Sequence, residues 1–292
     1  MSAKRIVFTV ATGRNSYAEQ ALGLARSLKF IGDTTPRVVM TDIPNPAFGK
    51  VFDLVLPPPK AISTYMLKLA AFEATDADEI LFIDSDCVAF KRLDRIWEAC
   101  RNADFAVQGK WISEGHWYGY LENILPNLGL TALPRFNGGM MFYRRTENTR
   151  RLIEQAVIEA SGYQNTGLDM FRGTVPDEPC VALAMARTGV GTVLSETDDF
   201  MNTPVGVVGK LDIDIKRARC RFMKHSMHDL RLMEPTILHA GKFVNNAIYW
   251  KQLDILRQME LYEEKHGYGY MSPGHKLRRS LEKRVLQFRK KI

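Results

Sequence analysis

The sequence predicts an α/β fold with a Rossmann-like, nucleotide-binding first half. Residues 80–83 form an unbroken apolar run, which is typical of a strand buried on both faces of a parallel sheet. The run ends abruptly in Asp84-Ser85-Asp86, at the strand end where such sheets bind ligands. Before it, the elements follow in the order βα, β, β, α, β, as in a nucleotide-binding half.

The elements of this first half follow from local patterns. Residues 4–12 predict a strand and 17–29 a helix, whose apolar stripe is Ala18, Ala21, Leu22, Ala25 and Leu28. Strands are predicted at 37–41 and 51–56, the second closed by three prolines. Ser63 or Thr64 is predicted to cap a helix over 65–74 that leads into the central strand.

The second half continues with elements of both kinds. The predicted helices are 93–102, 146–161, 177–187 and 247–266, and the predicted strands are 105–109, 136–144, 190–194 and 236–241. Residues 111–120 carry two Trp and two Tyr among glycines, which is too polar for a core strand. We interpret this stretch as exposed aromatics that stack on a sugar ring or, alternatively, as a hydrophobic lid.

Composition excludes several classes of protein. The 292 residues contain no apolar run that approaches the ~20 residues of a membrane span, and the start lacks the cleavage site of a secretory signal. The four cysteines form no C-x-x-C pair, which argues against a zinc site and a disulfide framework. The chain is therefore expected in a reducing cytoplasm.

The net charge of +7 belongs to one segment. Residues 276–292 hold eight Lys or Arg and one Glu, whereas the remaining residues are balanced. Apolar residues in this tail recur at helical spacing, which predicts a basic amphipathic helix after a flexible break at 267–274. We therefore expect a globular domain over 1–266 and a tail over 267–292 that binds something anionic.

The Asp84-Ser85-Asp86 turn is the first candidate site. Two carboxylates one residue apart can converge on one hard cation if the turn folds them back, and that cation would suit an oxygen-rich partner such as a diphosphate. Alternatively, Asp84 caps a turn and Asp86 begins a helix.

Five segments, in order over about residues 5–250, resemble the GT-A fold glycosyltransferases, and within them the glycogenin-like and bacterial galactosyltransferase-like family 8. The segments are Thr12 through Tyr17 to Leu28; Tyr65-x-x-Lys68-Leu69; 81–86; Phe136-Asn137-Gly138-Gly139-Met140-Met141; and Asp177-Glu178, followed by Ile237-Leu238-His239-x-Gly241. The resemblance implies a single GT-A domain with a central mixed, mostly parallel sheet flanked by helices. It also implies a metal-dependent enzyme that retains the anomeric configuration.

Residue roles follow from that resemblance. Asp84, Asp86 and His239 would bind Mn²⁺ or Mg²⁺, and a mixed O/N set suits Mn²⁺ better. The donor, most simply a UDP-sugar, would contact a nucleotide- and sugar-binding set consisting of Thr12, Tyr17, Lys68, Asp84, Ser85, Gly138, Gly241 and Lys242. The catalytic candidates beside the sugar are Asn137, Asp177 and Glu178.

Each role has a simpler structural alternative. His239 could be a lone histidine bonded to backbone, Lys68 a solvated lysine, and Tyr17 a residue packed on the sheet. Asn137 could serve a turn and Asp177 a helix cap.

Two positions depart from the family pattern. The closing motif is His239-Ala240-Gly241-Lys242-Phe243, shorter than the family's H-x-x-G-x-x-K-P-W, so a phosphate contact by Lys242 has less support. Glu178 replaces the usual Gln, which suggests a double-displacement nucleophile or, alternatively, a helix-cap carboxylate.

The acceptor is left open by the sequence. One hypothesis is a glycan or lipid-linked acceptor at the inner membrane face, with 276–292 as a peripheral anchor on anionic lipids. Another is a nucleic acid with a modified base, held by the tail and the basic cluster 216–225. A hypothesis of another class is a non-catalytic nucleotide-sugar-binding protein.

Overall fold

The computed structural model describes residues 3–59, 66–226 and 229–266. The predicted cap at Ser63 or Thr64, the start of the helix at Tyr65 and the whole tail, 267–292, lie outside the described residues. No helix in the described part of the chain combines the length and apolarity needed to cross a bilayer.

The described ranges contain thirteen strands and eight α-helices. The strands are β1 (Arg5–Val10), β2 (Arg37–Met40), β3 (Leu54–Leu56), β4 (Glu79–Ile83), β5 (Cys87–Ala89), β6 (Phe105–Ile112), β7 (Leu133–Arg144), β8 (Thr192–Ser195), β9 (Met201–Asn202), β10 (Val207–Asp214), β11 (Arg219–Ser226), β12 (Asp229–Met233) and β13 (Ile237–His239). The helices are α1 (Asn15–Phe30), α2 (Phe48–Val51), α3 (Ala71–Ala74), α4 (Asp94–Ala99), α5 (Leu121–Leu128), α6 (Glu147–Ser161), α7 (Asp177–Thr188) and α8 (Ala247–His266).

Seven strands form the central sheet in the order β3-β2-β1-β4-β7-β6-β8. β1 pairs in parallel with β2 and β4, whereas β7 is antiparallel to both β4 and β6. β6 and β8 are parallel to each other, so only β7 runs against the other six. The predicted mixed, mostly parallel sheet with a Rossmann-like half is confirmed.

Every residue of β4 is buried, as its apolar run predicts. Phe82 packs with Phe8 in the core on one face, and Leu81 packs with Leu24 and Trp97 in the core on the other. Full burial of one such side chain stabilises the fold by ~1.5–3 kcal/mol. Helices on both faces therefore fix β4, and with it the position of the turn that follows.

Two smaller sheets lie beyond the main one. β13 pairs with β5 so that His239 lies opposite Cys87, the residue after Asp86. β10, β11 and β12 form an antiparallel sheet of three strands. The pairing of β13 with β5 brings His239 beside Asp84 and Asp86, although they are far apart in the sequence.

Four local features differ from the sequence-based expectations. Met66–Leu69 is a 3₁₀ turn, and only Ala71–Ala74 is α-helical, instead of one helix over 65–74. β6 extends into the aromatic stretch as far as Ile112, and α5 begins directly after that stretch. The basic cluster 216–225 lies mostly in β11.

Candidate active site

The turn after β4 folds two carboxylates toward one side. The Cys87 amide donates to the Asp84 carbonyl over 3.1 Å, which closes a tight turn, and β5 begins at once. The Asp84 amide donates to the Gly139 carbonyl of β7 over 2.9 Å. Backbone pairing on both sides thus holds Asp84, Ser85 and Asp86 in place, with Ser85 itself buried.

His239 faces both carboxylates. Its Nε2 lies 3.1 Å from Asp86 Oδ1 and 3.7 Å from Asp84 Oδ2. Its Nδ1 lies 2.8 Å from the Asn137 side-chain oxygen. An amide oxygen only accepts hydrogen bonds, so Nδ1 carries a proton and Nε2 is directed at the carboxylates. An orienting partner on the far ring nitrogen is usual for a histidine that binds a metal.

Lys68 neutralises the same cluster from the 3₁₀ turn before β4. Its Nζ lies 3.1 Å from Asp84 Oδ2 and 2.9 Å from Asp177 Oδ2. It also donates to the Gly138 carbonyl over 3.1 Å. Burial acts to lower the pKa of Lys68, but Asp177 and Asp84 outweigh burial and raise that pKa above its usual value, so Lys68 stays charged.

The carboxylates of this cluster outnumber its cations, and the pKa values of Asp84 and Asp86 are shifted in opposite directions. Burial raises the pKa of Asp84 above its usual value, and Lys68 and His239 offset only part of that rise. Burial also acts to raise the pKa of Asp86, but the charge and hydrogen bond of His239 lower it below its usual value. Such an excess of buried negative charge favours an added cation.

Glycines let β7 approach this cluster closely. A Cβ on Gly138 would lie 2.8 Å from Asp177 Oδ2, and a Cβ on Gly139 would lie 2.6 Å from His239 Nδ1. Any side chain at either position would therefore displace the groups that surround the carboxylates.

The Glu178 side chain, on α7, accepts hydrogen bonds from residues outside that helix. Its Oε1 accepts from the Gly138 amide over 2.7 Å, and its Oε2 accepts from the Tyr118 hydroxyl over 3.1 Å. Burial, followed by Asp177, raises the pKa of Glu178 above its usual value. Sequence reasoning missed Tyr118, because the only signal for it was the aromatic composition of 111–120.

The predicted nucleotide contacts lie at the neighbouring strand end. Thr12 follows β1, which is adjacent to β4 in the sheet, and Tyr17 lies in the first turn of α1 with 39% of its surface exposed. Asp42, after β2, accepts a hydrogen bond from the Gly13 amide over 2.9 Å. In the described part of the chain, Thr12 and Tyr17 make no hydrogen bond or ion pair with the carboxylate cluster.

The closing motif, 239–243, contributes the backbone amide of Gly241 to the carboxylate cluster but not the side chain of Lys242. The Gly241 amide donates to Asp86 Oδ2 over 2.9 Å. Lys242 is exposed and makes no ion pair with a described residue. The structure therefore brings Gly241 into the cluster and leaves Lys242 outside it.

The donor set fits a divalent cation. Asp86 and His239 place ligand atoms within 4.8 Å of each other and of Cys87 Sγ. Burial raises the pKa of the Cys87 thiol well above its usual value, which makes a thiolate ligand costly to form there. Asp84 Oδ2, close to His239 Nε2, is the better third ligand, which gives the mixed O/N set that Mn²⁺ accepts.

Comparison with solved structures identifies the architecture. An active-site mutant of LgtC superposes with a TM-score of 0.51 over 81% of this chain and 86% of that chain, at 16% identity. The fold is that of the GT-A glycosyltransferases. Within this GT-A fold, the carboxylate turn lies at the end of β4, where β1 and β7 flank it.

Two further similar structures have TM-scores below 0.5. GlyE of Streptococcus pneumoniae TIGR4 gives a TM-score of 0.49 at 15% identity, over 68% of this chain and 46% of that chain. Mouse xyloside xylosyltransferase 1 gives 0.46 at 12% identity, over 68% and 87%. The chain thus spans less than half the length of GlyE. No protein-family model and no curated protein matches the chain.

Proposed function

We propose that the protein is a metal-dependent, retaining glycosyltransferase that moves a sugar from a nucleotide diphosphate, most simply a UDP-sugar, to a glycan or lipid-linked acceptor. One observation carries this proposal: Asp84, Asp86 and His239 converge at the carboxyl end of β4, with Lys68 beside them. Ligands of open α/β sheets bind at this edge.

Asp84, Asp86 and His239 would hold Mn²⁺ or Mg²⁺. When bound, the cation offsets the negative charge that develops on a departing diphosphate. Lys68 adds a fixed positive charge beside the same oxygens, held by Asp84 and Asp177. Thr12 and Tyr17, at the adjacent strand end, would contact the nucleoside.

The sugar would lie against β7, where Gly138 and Gly139 let the strand approach Asp177, Glu178 and His239 closely. Asn137 has its oxygen engaged by His239, so its amide nitrogen remains for a sugar hydroxyl. Asp177 is engaged by Lys68, and Glu178 has both oxygens engaged by Gly138 and Tyr118. Each of those oxygens keeps a second lone pair, so double displacement at Glu178 stays chemically available. A Glu178→Gln variant that keeps near-normal turnover would exclude it.

For the acceptor, a glycan or lipid-linked molecule has more support than a nucleic acid. Three arginines of the basic cluster are paired with acidic residues, since Arg217, Arg219 and Arg221 contact Asp214, Asp212 and Glu234. Their charges are thus partly neutralised before any phosphate binds. LgtC, whose mutant shares the fold, has been solved with donor and acceptor sugar analogs.

The tail's role as a peripheral membrane anchor at the cytoplasmic face is part of the proposal. Sedimentation with anionic liposomes and binding to DNA, each compared with a chain ending at residue 274, separate the two acceptor classes. We expect liposome binding that is lost in the shortened chain, whereas tail-dependent DNA binding alone would favour the nucleic acid.

The function itself is tested with a panel of nucleotide sugars, with Mn²⁺ and with chelator. We expect metal-dependent turnover of one UDP-sugar, as slow hydrolysis when no acceptor is present. Tight binding of a nucleotide sugar with no turnover under any condition would instead indicate a non-catalytic binding protein.

A further inference from the structure

A cleft of about 520 Å³ opens directly beside the carboxylate cluster. Asn137 and Glu178 line it at the end nearest the cluster, and Trp117 and Phe136 add aromatic surface. β11 of the three-stranded sheet lines it as well, through Lys224 and His225. We call this the β6–β11 cleft, because β6 contributes Gln108 and Lys110.

Two lysines of the cleft lack acidic partners. Lys110 is half-buried and makes no ion pair with any carboxylate of the described ranges. Lys224 is also half-buried, and its Nζ donates to the Asn202 side-chain oxygen over 3.1 Å and to the Thr203 carbonyl over 3.2 Å, both uncharged. Burial lowers the pKa of Lys224, and the more distant carboxylates of Glu196 and Asp199 offset only part of that effect.

Several partly buried arginines of the domain are paired with carboxylates: Arg26 lies 2.8 Å from Glu260, and Arg144 lies 2.8 Å from Glu79. Half-buried Arg145 instead donates to backbone carbonyls. Within the cleft, Arg135 reaches Glu196 only at 3.8 Å. The cleft thus holds Lys110, Lys224 and Arg135 against the carboxylates of Glu178 and Glu196, and this excess of positive charge in one concave site favours a ligand that supplies negative charge.

We propose that the β6–β11 cleft binds the acceptor and selects one that carries an anionic group, a carboxylate or a phosphate ester, on or next to the sugar that is glycosylated. This inference rests on the proposed function and assigns its acceptor class. Lys110 and Lys224 hold the anion, while Trp117 and Phe136 offer apolar surface to the sugar ring. The anion fixes the acceptor's hydroxyl beside Asn137 and Glu178.

Transfer is then balanced without a further reactant. The anomeric carbon loses its bond to the diphosphate oxygen and gains a bond to the acceptor hydroxyl oxygen. The hydroxyl proton passes to the released nucleoside diphosphate.

The test uses the UDP-sugar that the panel identifies and two matched acceptor pairs: methyl glucoside with methyl glucuronide, and methyl galactoside with its 6-phosphate. We expect the wild-type protein to prefer one charged member over its neutral partner by at least ~10-fold in kcat/KM. The pair that shows the preference distinguishes a carboxylate from a phosphate ester.

Substitutions of the two lysines test whether they cause the preference for the charged acceptor. Lys110→Met keeps the length and removes the charge, and should reduce the charged-to-neutral ratio by about 10-fold, chiefly through KM. Lys224→Met should do the same, and Lys224→Arg should restore the ratio in part. Lys210→Met is the matched control, because Lys210 is exposed on β10 and does not line the cleft.

Each result is decisive. Donor turnover with equal use of charged and neutral acceptors contradicts this inference and leaves the proposed function intact. A charged preference that survives both lysine substitutions contradicts it as well. If no donor is turned over, the proposed function fails and the acceptor assignment fails with it.

Discussion

Both ends of β4 carry buried charged side chains, but the balance of acidic and basic groups differs between the two ends. At the amino end, Glu79 accepts from Arg5 over 2.7 Å and from Arg144 over 2.8 Å. Burial acts to raise the pKa of Glu79, but the two arginines lower it below its usual value. One carboxylate thus meets two cations, so its negative charge is fully compensated within the chain.

At the carboxyl end, the balance is reversed. Four acidic residues, Asp84, Asp86, Asp177 and Glu178, surround two cationic groups, Lys68 and His239. The pKa values of Asp84 and Glu178 are raised, chiefly by burial. The comparison separates a cluster whose carboxylate is compensated within the chain from one with an excess of buried carboxylates, where we propose that an external cation binds.

Removing one carboxylate from the functional end should have the largest effect. Asp86→Asn keeps an oxygen for the Gly241 amide but removes a charged ligand, so metal-dependent turnover should fall by about 1000-fold. Steady-state assays with the donor that the panel identifies measure this. Wild-type activity in a folded Asp86→Asn protein would contradict the proposed difference between the two ends of β4.

Removing the lysine between the acidic groups should have the next largest effect. Lys68→Met deletes the positive charge beside Asp84, where we propose that the donor's phosphates bind, so turnover should fall by about 100-fold. Lys68→Arg is the control that keeps the charge, and it should retain more activity than Lys68→Met. Equal activities of Lys68→Met and wild type would show that Lys68 serves only the fold.

The structural end should respond in stability instead. Glu79→Gln weakens charged hydrogen bonds to Arg5 and Arg144, so the free energy of unfolding should fall by about 1–3 kcal/mol. Urea unfolding measures the loss, and donor turnover below the transition should match that of the wild type. Lost turnover in the folded variant would mean that the two ends are coupled.

The two ends should also differ in the sign of their pH dependence. Because the pKa of Glu79 is lowered in the folded protein, its stabilisation is present above the unfolded pKa and is lost as pH falls through the folded pKa. Because the pKa of Glu178 is raised, its ionisation costs stability as pH rises from the unfolded pKa through the folded pKa.

Substitution by glutamine should expose that difference without metal. Relative to wild type, Glu79→Gln should become more destabilising from about pH 4 to about pH 7, and Glu178→Gln less destabilising or stabilising. Unfolding curves at the two pH values measure both trends. Parallel trends in the two variants would contradict the assignment of opposite roles.

The fold was predictable where one pattern dominates. The apolar run of β4 and the helical stripe of α1 have no competing interpretation, so both elements were assigned from sequence. β11 was not, because its buried Cys220 and Phe222 alternate with basic residues that composition marks as a charged cluster. α5 was hidden by the internal Pro126 and by the glycine-rich aromatic stretch before it.

The site was predictable in part for the same reason. Asp84 and Asp86 follow from their place at a strand end, whereas their contact with His239 depends on the pairing of β5 with β13 across about 150 residues, which no local pattern encodes. The resemblance to a family supplied that contact and the nearness of Lys68. Tyr118 and Lys224 were indicated only as members of the aromatic stretch 111–120 and the basic cluster 216–225, and Lys110 was not indicated by any pattern.

The central claim is that the carboxyl end of β4 is a divalent-cation site and the amino end is not. Thermal unfolding with increasing Mn²⁺, with UDP present, tests it in wild type, Asp86→Asn and Glu79→Gln. At about 100 times the dissociation constant, Mn²⁺ should stabilise the wild type by about 2.7 kcal/mol. Glu79→Gln should gain as much and Asp86→Asn almost nothing. Equal gains in wild type and Asp86→Asn, or no gain in the wild type, would contradict the claim.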